Sequence, residues 1–153
     1  MKQFLFYCSI ATFSIFIGSQ ITEGALLVPY WQSLATRDFY AYYQQFGPSI
    51  SRFYTVLTIV AALIPVLVSI YCKTFHPRAF RTALISSFFA VLFIACFYVY
   101  FKGTNALFYQ EAFSEVALQK ELVTWSYWHG GRILMEFASL VFLIRTFMKI
   151  QDP

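Results

Sequence analysis

Hydrophobic and polar positions divide this chain into four long apolar runs joined by aromatic and polar segments. Phe4 to Thr22, Phe53 to Cys72 and Thr82 to Phe101 contain no charged residue. A fourth run, from about Tyr127 to Phe147, is apolar except for His129, Arg132, Glu136 and Arg145. Crossing about 30 Å of hydrocarbon takes about 20 helical residues, and each run has that length. In lipid every backbone amide must find a partner within its own segment, so runs of this kind predict helices. The expected fold is all-α, a single transmembrane domain over residues 1–153. Its four helices, at about 4–22, 53–72, 82–101 and 127–147, form an up-and-down bundle. The first run follows Lys2 and is read as a retained helix, because it exceeds a signal-peptide core and lacks a small-x-small cleavage site.

The connecting segments carry their own signals. Between Gly24 and Arg52 lie Pro29-Tyr30-Trp31, then Phe39, Tyr40, Tyr42, Tyr43 and Phe46. This predicts an aromatic outer loop with a short interfacial helix, capped by Thr36 or Asp38 and ended by Gly47. Pro65 predicts a kink in the second span. His76-Pro77 marks a short link with His76 in solvent, and Lys102-Gly-Thr-Asn105 reads as a turn in which Asn105 satisfies helix-end backbone. Ser114 to Thr124 reads as a short amphipathic helix leading into the fourth span. In the first span, Ser9, Thr12, Phe16, Ser19 and Glu23 share one face, with Gln20 adding a second polar group. Trp31, Trp125 and Trp128 fall at one membrane level, as an aromatic belt does, or as the roof of a ligand pocket does.

Composition agrees with this class. Hydrophobic residues make up 59%, aromatics 22% and charged residues 12%, with a mean hydropathy of +0.63. Soluble domains carry about twice that charge. The net charge of +4 is unevenly spread. Lys2, Lys73, Arg78, Arg81, Arg145 and Lys149 flank one side of the spans, opposed by Asp152. Arg37, Arg52, Lys102 and Lys120 are balanced on the other side by Glu23, Asp38, Glu111, Glu115 and Glu121. The positive-inside rule then predicts cytoplasmic N and C termini, with a bacterial inner membrane as the simplest location. The basic balance is thus a topology signal and not a nucleic-acid footprint. No Walker loop or dinucleotide fingerprint is present. Cys8, Cys72 and Cys96 form no C-x-x-C pair, which argues against thiol-disulfide chemistry and for small buried hydrophobes.

Chemistry concentrates in the fourth run. Trp125, His129, Arg132 and Glu136 fall within an arc of about 60° at helical spacing. Ionisable groups within a lipid-spanning helix are costly unless they face protein, water or one another. Several readings of Glu23, His129, Arg132 and Glu136 stand open. One is an interhelical ion-pair network that fixes packing. A bis-histidine haem within one chain is disfavoured, since His76 and His129 belong to opposite sides. A His-carboxylate metal site is opposed by the adjacent Arg132. A small multidrug exporter places its carboxylate in mid-helix, unlike Glu23. The remaining reading is an acid-base site for a lipophilic aromatic or carbonyl compound, with His129 as base, Arg132 beside the developing oxyanion and the carboxylates tuning the imidazole.

A resemblance favours that last reading. Gly24-Ala-Leu-Leu-Val-Pro29-Tyr30-Trp31, Gly47-Pro48 with Leu57-Thr58, Asn105, and Trp125-x-x-Trp128-His129-x-x-Arg132 resemble the anthrone-oxygenase-like four-helix membrane proteins. The resemblance spans nearly the whole chain. It implies the four-helix fold and, for some members, oxidation of anthrones to anthraquinones without a conventional cofactor. It points to His129 and Arg132 first, then Asn105 and Trp125; Glu23 and Glu136 come from spacing alone. Trp125, Trp128, Tyr30, Trp31 and Asn105 are the expected ligand-binding residues. Partners expected are the lipid bilayer and a lipophilic aromatic molecule. The alternative is a non-catalytic small subunit or assembly factor in a homo-oligomer or larger membrane complex.

Overall fold

The computed structural model describes residues 2–151, with side chains from Phe4 onward. Asp152 and the side chain of Lys2, both counted in the charge asymmetry above, lie outside the described residues. Helix α1 (Lys2–Thr22) runs through a π-helical turn (Glu23–Leu27) into α2 (Val28–Ser33). After a two-residue extended break at Leu34 and Ala35 comes α3 (Thr36–Phe75). His76 alone separates it from α4 (Pro77–Cys96). A second π-helical turn (Phe97–Phe101) leads into α5 (Lys102–Tyr109), and a short turn leads to α6 (Glu115–Gln151). No strand occurs among the described residues. Three stretches, Phe4–Ser33, Thr36–Phe75 and Pro77–Tyr109, are long and apolar enough to cross a membrane. The predicted fourth span falls on α6, which has the length but dilutes its apolar character with His129, Arg132 and Glu136, then Arg145 and Lys149.

The helices continue where the sequence suggested loops. At about 1.5 Å per residue, the 40 residues of α3 reach about 60 Å and the 37 of α6 about 55 Å, against about 30 Å of hydrocarbon. The expected interfacial helix is therefore the first part of α3, and Gly47-Pro48 lies inside it. Proline costs a helix one backbone hydrogen bond, which neighbouring contacts here outweigh. Thr36 starts α3 without capping it. Lys102 to Asn105 is helical and not a turn, and Ser114 to Thr124 is the beginning of α6 and not a separate helix. His76 does break the chain, for a local reason: the residue before a proline avoids helical angles, and Pro77 is pre-set for a first helical position. Its Nε2 lies 3.2 Å from the Tyr71 hydroxyl, so it is half-buried and not free in solvent.

Two cores result. The first lies between the apolar spans and includes Phe13, Phe16, Ala61, Ala90, Phe93 and Leu143. The second is an aromatic cap beyond it, built from α2, the start of α3, α5 and the start of α6. Trp31, Phe39, Tyr43, Phe101, Phe108 and Trp125 dominate that cap, and Met135 packs against both cores. The third span, unremarkable as a string, supplies a stripe of small residues. Ala79, Ala83, Ser86 and Ala90 are all buried at steps of three and four, so that α4 can approach α6 closely. Ser86 Oγ donates to the Ser139 carbonyl at 2.7 Å and Ser139 Oγ donates back to the Ser86 carbonyl at 2.9 Å. On the other side, Ser87 Oγ donates to the Pro65 carbonyl at 2.8 Å and meets Ser69 Oγ at 2.7 Å. On α1 the buried face is Phe13, Phe16, Ile17 and Gln20, continued by Glu23 in the π-turn, while Ser9 and Thr12 lie at its edge. Around the first core, large residues such as Ile15, Leu63, Leu67, Phe88 and Leu134 stay at least half exposed, which suits a lipid surround.

Candidate functional site

The polar cluster sits at the junction of the two cores. Its four expected members come together: Glu23 from the first π-turn, and His129, Arg132 and Glu136 from α6. Gln20 joins them from α1. His129 is 1% exposed, and its ring stacks on Trp125 at 4.9 Å and 17°. Its Nε2 lies 2.9 Å from the Gln20 carbonyl, which only accepts, so the proton is on Nε2. Arg132 Nη2 lies 3.0 Å from Nδ1, and a guanidinium only donates, so Nδ1 carries the lone pair. Both ring nitrogens are thus occupied. Glu23 Oε2 is 3.9 Å from Nδ1, beyond hydrogen-bond range.

Arg132 is the hub. Nη2 also donates to the Gln20 side-chain oxygen and stands 3.5 Å from Glu23 Oε2. Nε is 3.7 Å from Glu136 Oε1, and the guanidinium carbon lies 4.7 Å from the centroid of the Phe101 ring. One cation is therefore shared between two carboxylates in an apolar setting, with a ring face adding a cation–π contact. The coverage is incomplete: Glu23 Oε2, both Glu136 oxygens and Arg132 Nε are buried without a hydrogen-bond partner. Groups in that condition are expensive, and in native proteins each calls for an explanation.

A cavity of 270 Å³ opens beside this cluster, between α3, the C-terminal end of α4 and the second π-turn. Glu23 and Arg132 form its polar floor, while Trp31, Tyr43, Phe101 and Trp125 form its aromatic end. Tyr54, whose hydroxyl donates to the Ser19 carbonyl at 3.1 Å, ties the α3 wall to α1. Ile59, Phe97 and Tyr98 line it while remaining 54%, 37% and 66% exposed, so they are the lips of the opening. Both π-turns border this space: one carries Glu23, the other Phe97, Tyr98 and Phe101. Such turns insert a residue into a helix and re-aim its side chains, and they are frequent at functional sites.

Not every expected residue reaches the cavity. Trp31, Trp125 and Asn105 line it. Asn105 Oδ1 accepts from Trp125 Nε1 at 3.2 Å, so it positions an indole instead of capping a helix end. Trp128 lies outside, stacked on Tyr100 at 4.9 Å and 5°, and Tyr30 is 47% exposed against Tyr42. Those two pack in the aromatic cap and do not line the cavity. His129 and Glu136 are buried behind the floor and do not line it. Tyr54, Tyr43 and Phe101 are wall residues that sequence reasoning passed over. Gln20 was noticed for its polarity in an uncharged run, but its link to both His129 and Arg132 needed the packing. Gly24 explains the closeness of α1 and α6, since a Cβ there would stand 3.0 Å from His129 Cδ2. Among the described residues no three His, Cys, Asp or Glu side chains are grouped to hold a metal ion. Comparison with models of known families, with curated proteins and with solved structures finds no match to this chain.

Proposed function

We propose that this is a four-crossing integral membrane protein whose cavity binds a lipophilic aromatic compound bearing an oxygen function. In the manner of the anthrone oxygenases it resembles, it oxidises that compound. The observation carrying this reading is the cavity itself. Its walls are mostly apolar with the hydroxyl residues Ser51, Thr55 and Thr58 along α3, and two lining residues, Glu23 and Trp31, carry buried polar atoms without partners, Oε2 and Nε1. Mostly apolar walls with a few unsatisfied polar groups are what a small-molecule site presents, and 270 Å³ is near the lower end of such sites, about 300 Å³. A flat ring system would lie between Trp31, Trp125 and Phe101 on one side and the α3 wall on the other, where Ile50 and Ile59 alternate with the hydroxyl residues Ser51, Tyr54, Thr55 and Thr58. Its hydroxyl or acidic C–H faces Glu23, and its carbonyl faces Trp31 Nε1 or Arg132.

The fourth crossing is α6. Leu134, Phe137, Val141, Ile144 and Met148 recur at steps of three and four and are exposed, which makes a lipid-facing stripe opposite the buried face. With four crossings, both termini lie on the side of Lys73, Arg78, Arg81, Arg145 and Lys149, cytoplasmic in a bacterial inner membrane. The cavity then lies at the level of the outer leaflet. A second reading, a packing network in a non-catalytic subunit, draws support from Glu136, which pairs with Arg132 away from the cavity.

One titration separates the two. The protein in lipid nanodiscs is mixed with anthrone under anaerobic conditions while tryptophan fluorescence is recorded. Saturable quenching that is lost in a Trp31→Phe/Trp125→Phe double variant, followed by anthraquinone formation on admitting O2, supports the proposal. Non-saturable quenching equal to that of empty nanodiscs leaves only the packing reading.

A further inference from the structure

The resemblance directs attention to His129 as the group that would take a proton from the ligand. The geometry assigns that role elsewhere. We infer that Glu23 is the proton acceptor of the cavity, and that His129 is a positioning residue whose task is to hold Arg132. The inference rests on the proposed function above and deepens it.

Three observations carry it. A base needs a free lone pair within reach of the bound molecule, with geometry deciding before basicity. His129 has none: Nε2–H is committed to the Gln20 carbonyl at 2.9 Å, and the Nδ1 lone pair accepts from Arg132 at 3.0 Å. The ring is also walled in. Trp125 stacks on one face, a Cβ at Gly24 would stand only 3.2 Å from Nε2, and the residue does not line the cavity. Freeing Nδ1 would mean breaking the contact that orients the guanidinium. Glu23 presents the opposite case. It lines the cavity, it is 4% exposed, and its Oε2 has no hydrogen-bond partner, although Arg132 Nη2 stands 3.5 Å away. The π-turn beginning at Glu23 is the local device that aims this carboxylate inward. Glu136, equally buried, is shut off from the cavity and serves as the second counter-charge of Arg132.

The step is simple. The acidic C–H bond of an anthrone breaks, its proton forms an O–H bond with the Glu23 carboxylate, and the electron pair is delocalised onto the ring oxygen. Arg132 and Trp31, which both line the cavity, are the residues that carry donors for that oxygen. Returning a proton from Glu23 to the carbon completes an exchange. In air, O2 adds to the carbanion carbon instead; the peroxide takes the proton from Glu23, and loss of water, with the O–O bond and the remaining C–H bond breaking, leaves the quinone carbonyl.

The exchange can be read without oxidation. Nanodisc-embedded protein and anthrone are incubated anaerobically in D2O, and deuterium entering the anthrone methylene is followed by mass spectrometry across pH. Glu23→Gln is expected to bind anthrone, judged by tryptophan quenching, and to lose about 100-fold or more of the exchange rate, the range of a general base. His129→Gln can still donate to Gln20 and accept from Arg132. It is expected to lose about tenfold, with an unaltered pH profile. Should Glu23→Gln fail to fold, Glu23→Asp decides: exchange is slower than in His129→Gln but above background. The reverse ranking, with exchange abolished in His129→Gln and kept in the Glu23 variants, overturns the inference while leaving the proposed ligand class intact. A parent protein that neither binds anthrone nor accelerates exchange overturns the proposed function and this inference with it.

Discussion

Replacing Arg132 by methionine removes the hub of the cluster while keeping most of its apolar stem. Four contacts go at once. The guanidinium donates to the Gln20 side chain and to His129 Nδ1, and it stands 3.5 Å from Glu23 and 3.7 Å from Glu136. Hydrogen bonds from a charged donor contribute about 1.5–3 kcal/mol each, and truncating one partner of a buried ion pair typically costs about 3–5 kcal/mol. These figures overlap, because the same guanidinium makes every contact, so they do not add. The carboxylates left behind also limit the loss by taking up protons instead of remaining charged in an apolar site. The expected destabilisation is therefore about 3–5 kcal/mol. For a chain of this size that corresponds to a fall in Tm of about 6–20 °C. The assay is thermal unfolding in mild detergent, followed by circular dichroism. The diagnostic comparison is the triple variant Arg132→Met/Glu23→Gln/Glu136→Gln, which strands no carboxylate. It is expected to recover more than half of the loss, since removing a buried charge set together is close to neutral. A single variant as stable as the parent, or a triple variant worse than the single one, would refute the account of the cluster as one cation compensating two buried acids.

Further outcomes follow from other parts of the bundle. Gly24→Ala brings a Cβ to 3.0 Å from His129 Cδ2, where stacking on Trp125 leaves the ring little freedom. The gain in helix propensity is about 1 kcal/mol and the overpacking cost about 1–3 kcal/mol, so a net loss of Tm with altered tryptophan fluorescence is expected. Ser86→Ala removes the hydroxyl half of the reciprocal bond with Ser139 and should cost about 1 kcal/mol in the same unfolding assay. Ser86→Leu should cost clearly more, because a large side chain on that small-residue stripe forces α4 and α6 apart. Gly47→Ala sets a Cβ 2.6 Å from the Tyr109 hydroxyl, displacing a ring that packs on Tyr43 at 4.8 Å. A loss of about 1–3 kcal/mol is expected, with faster proteolysis of the cap than of the apolar bundle.

Much of this was legible in the string. The three uncharged runs announced apolar helices, and all three lie within helices long enough to cross a bilayer. The stripe on α6 also placed Trp125, His129 and Arg132 together, because helical spacing alone puts them on one face. The loops were misread where turn-forming residues lay next to apolar partners. Gly47-Pro48 and Lys102-Gly-Thr-Asn105 break isolated helices, yet here the aromatic cap stabilises helix through both. Propensity is a weak prior of up to about 3 kcal/mol per residue even for proline, and burying several aromatic rings exceeds it.

The sequence by itself determined the class of molecule. Its solvent is written in the proportion and spacing of apolar residues, since partition between water and lipid sums over side chains regardless of their partners. It also determined which few groups had to be compensated, because an ionisable residue in such a helix is costly wherever it points. Tertiary structure decided which of those groups lines the cavity. His129 and Glu136 share a helix face with Arg132, but the first π-turn closes in His129 at Gly24 and Glu136 does not line the cavity, while that same turn brings Glu23 to it. Periodicity along one helix says which residues share a side. Whether that side meets protein or open space is set by the helices packed against it, and that depends on contacts between residues more than a hundred positions apart, such as Gln20 with His129 and Arg132.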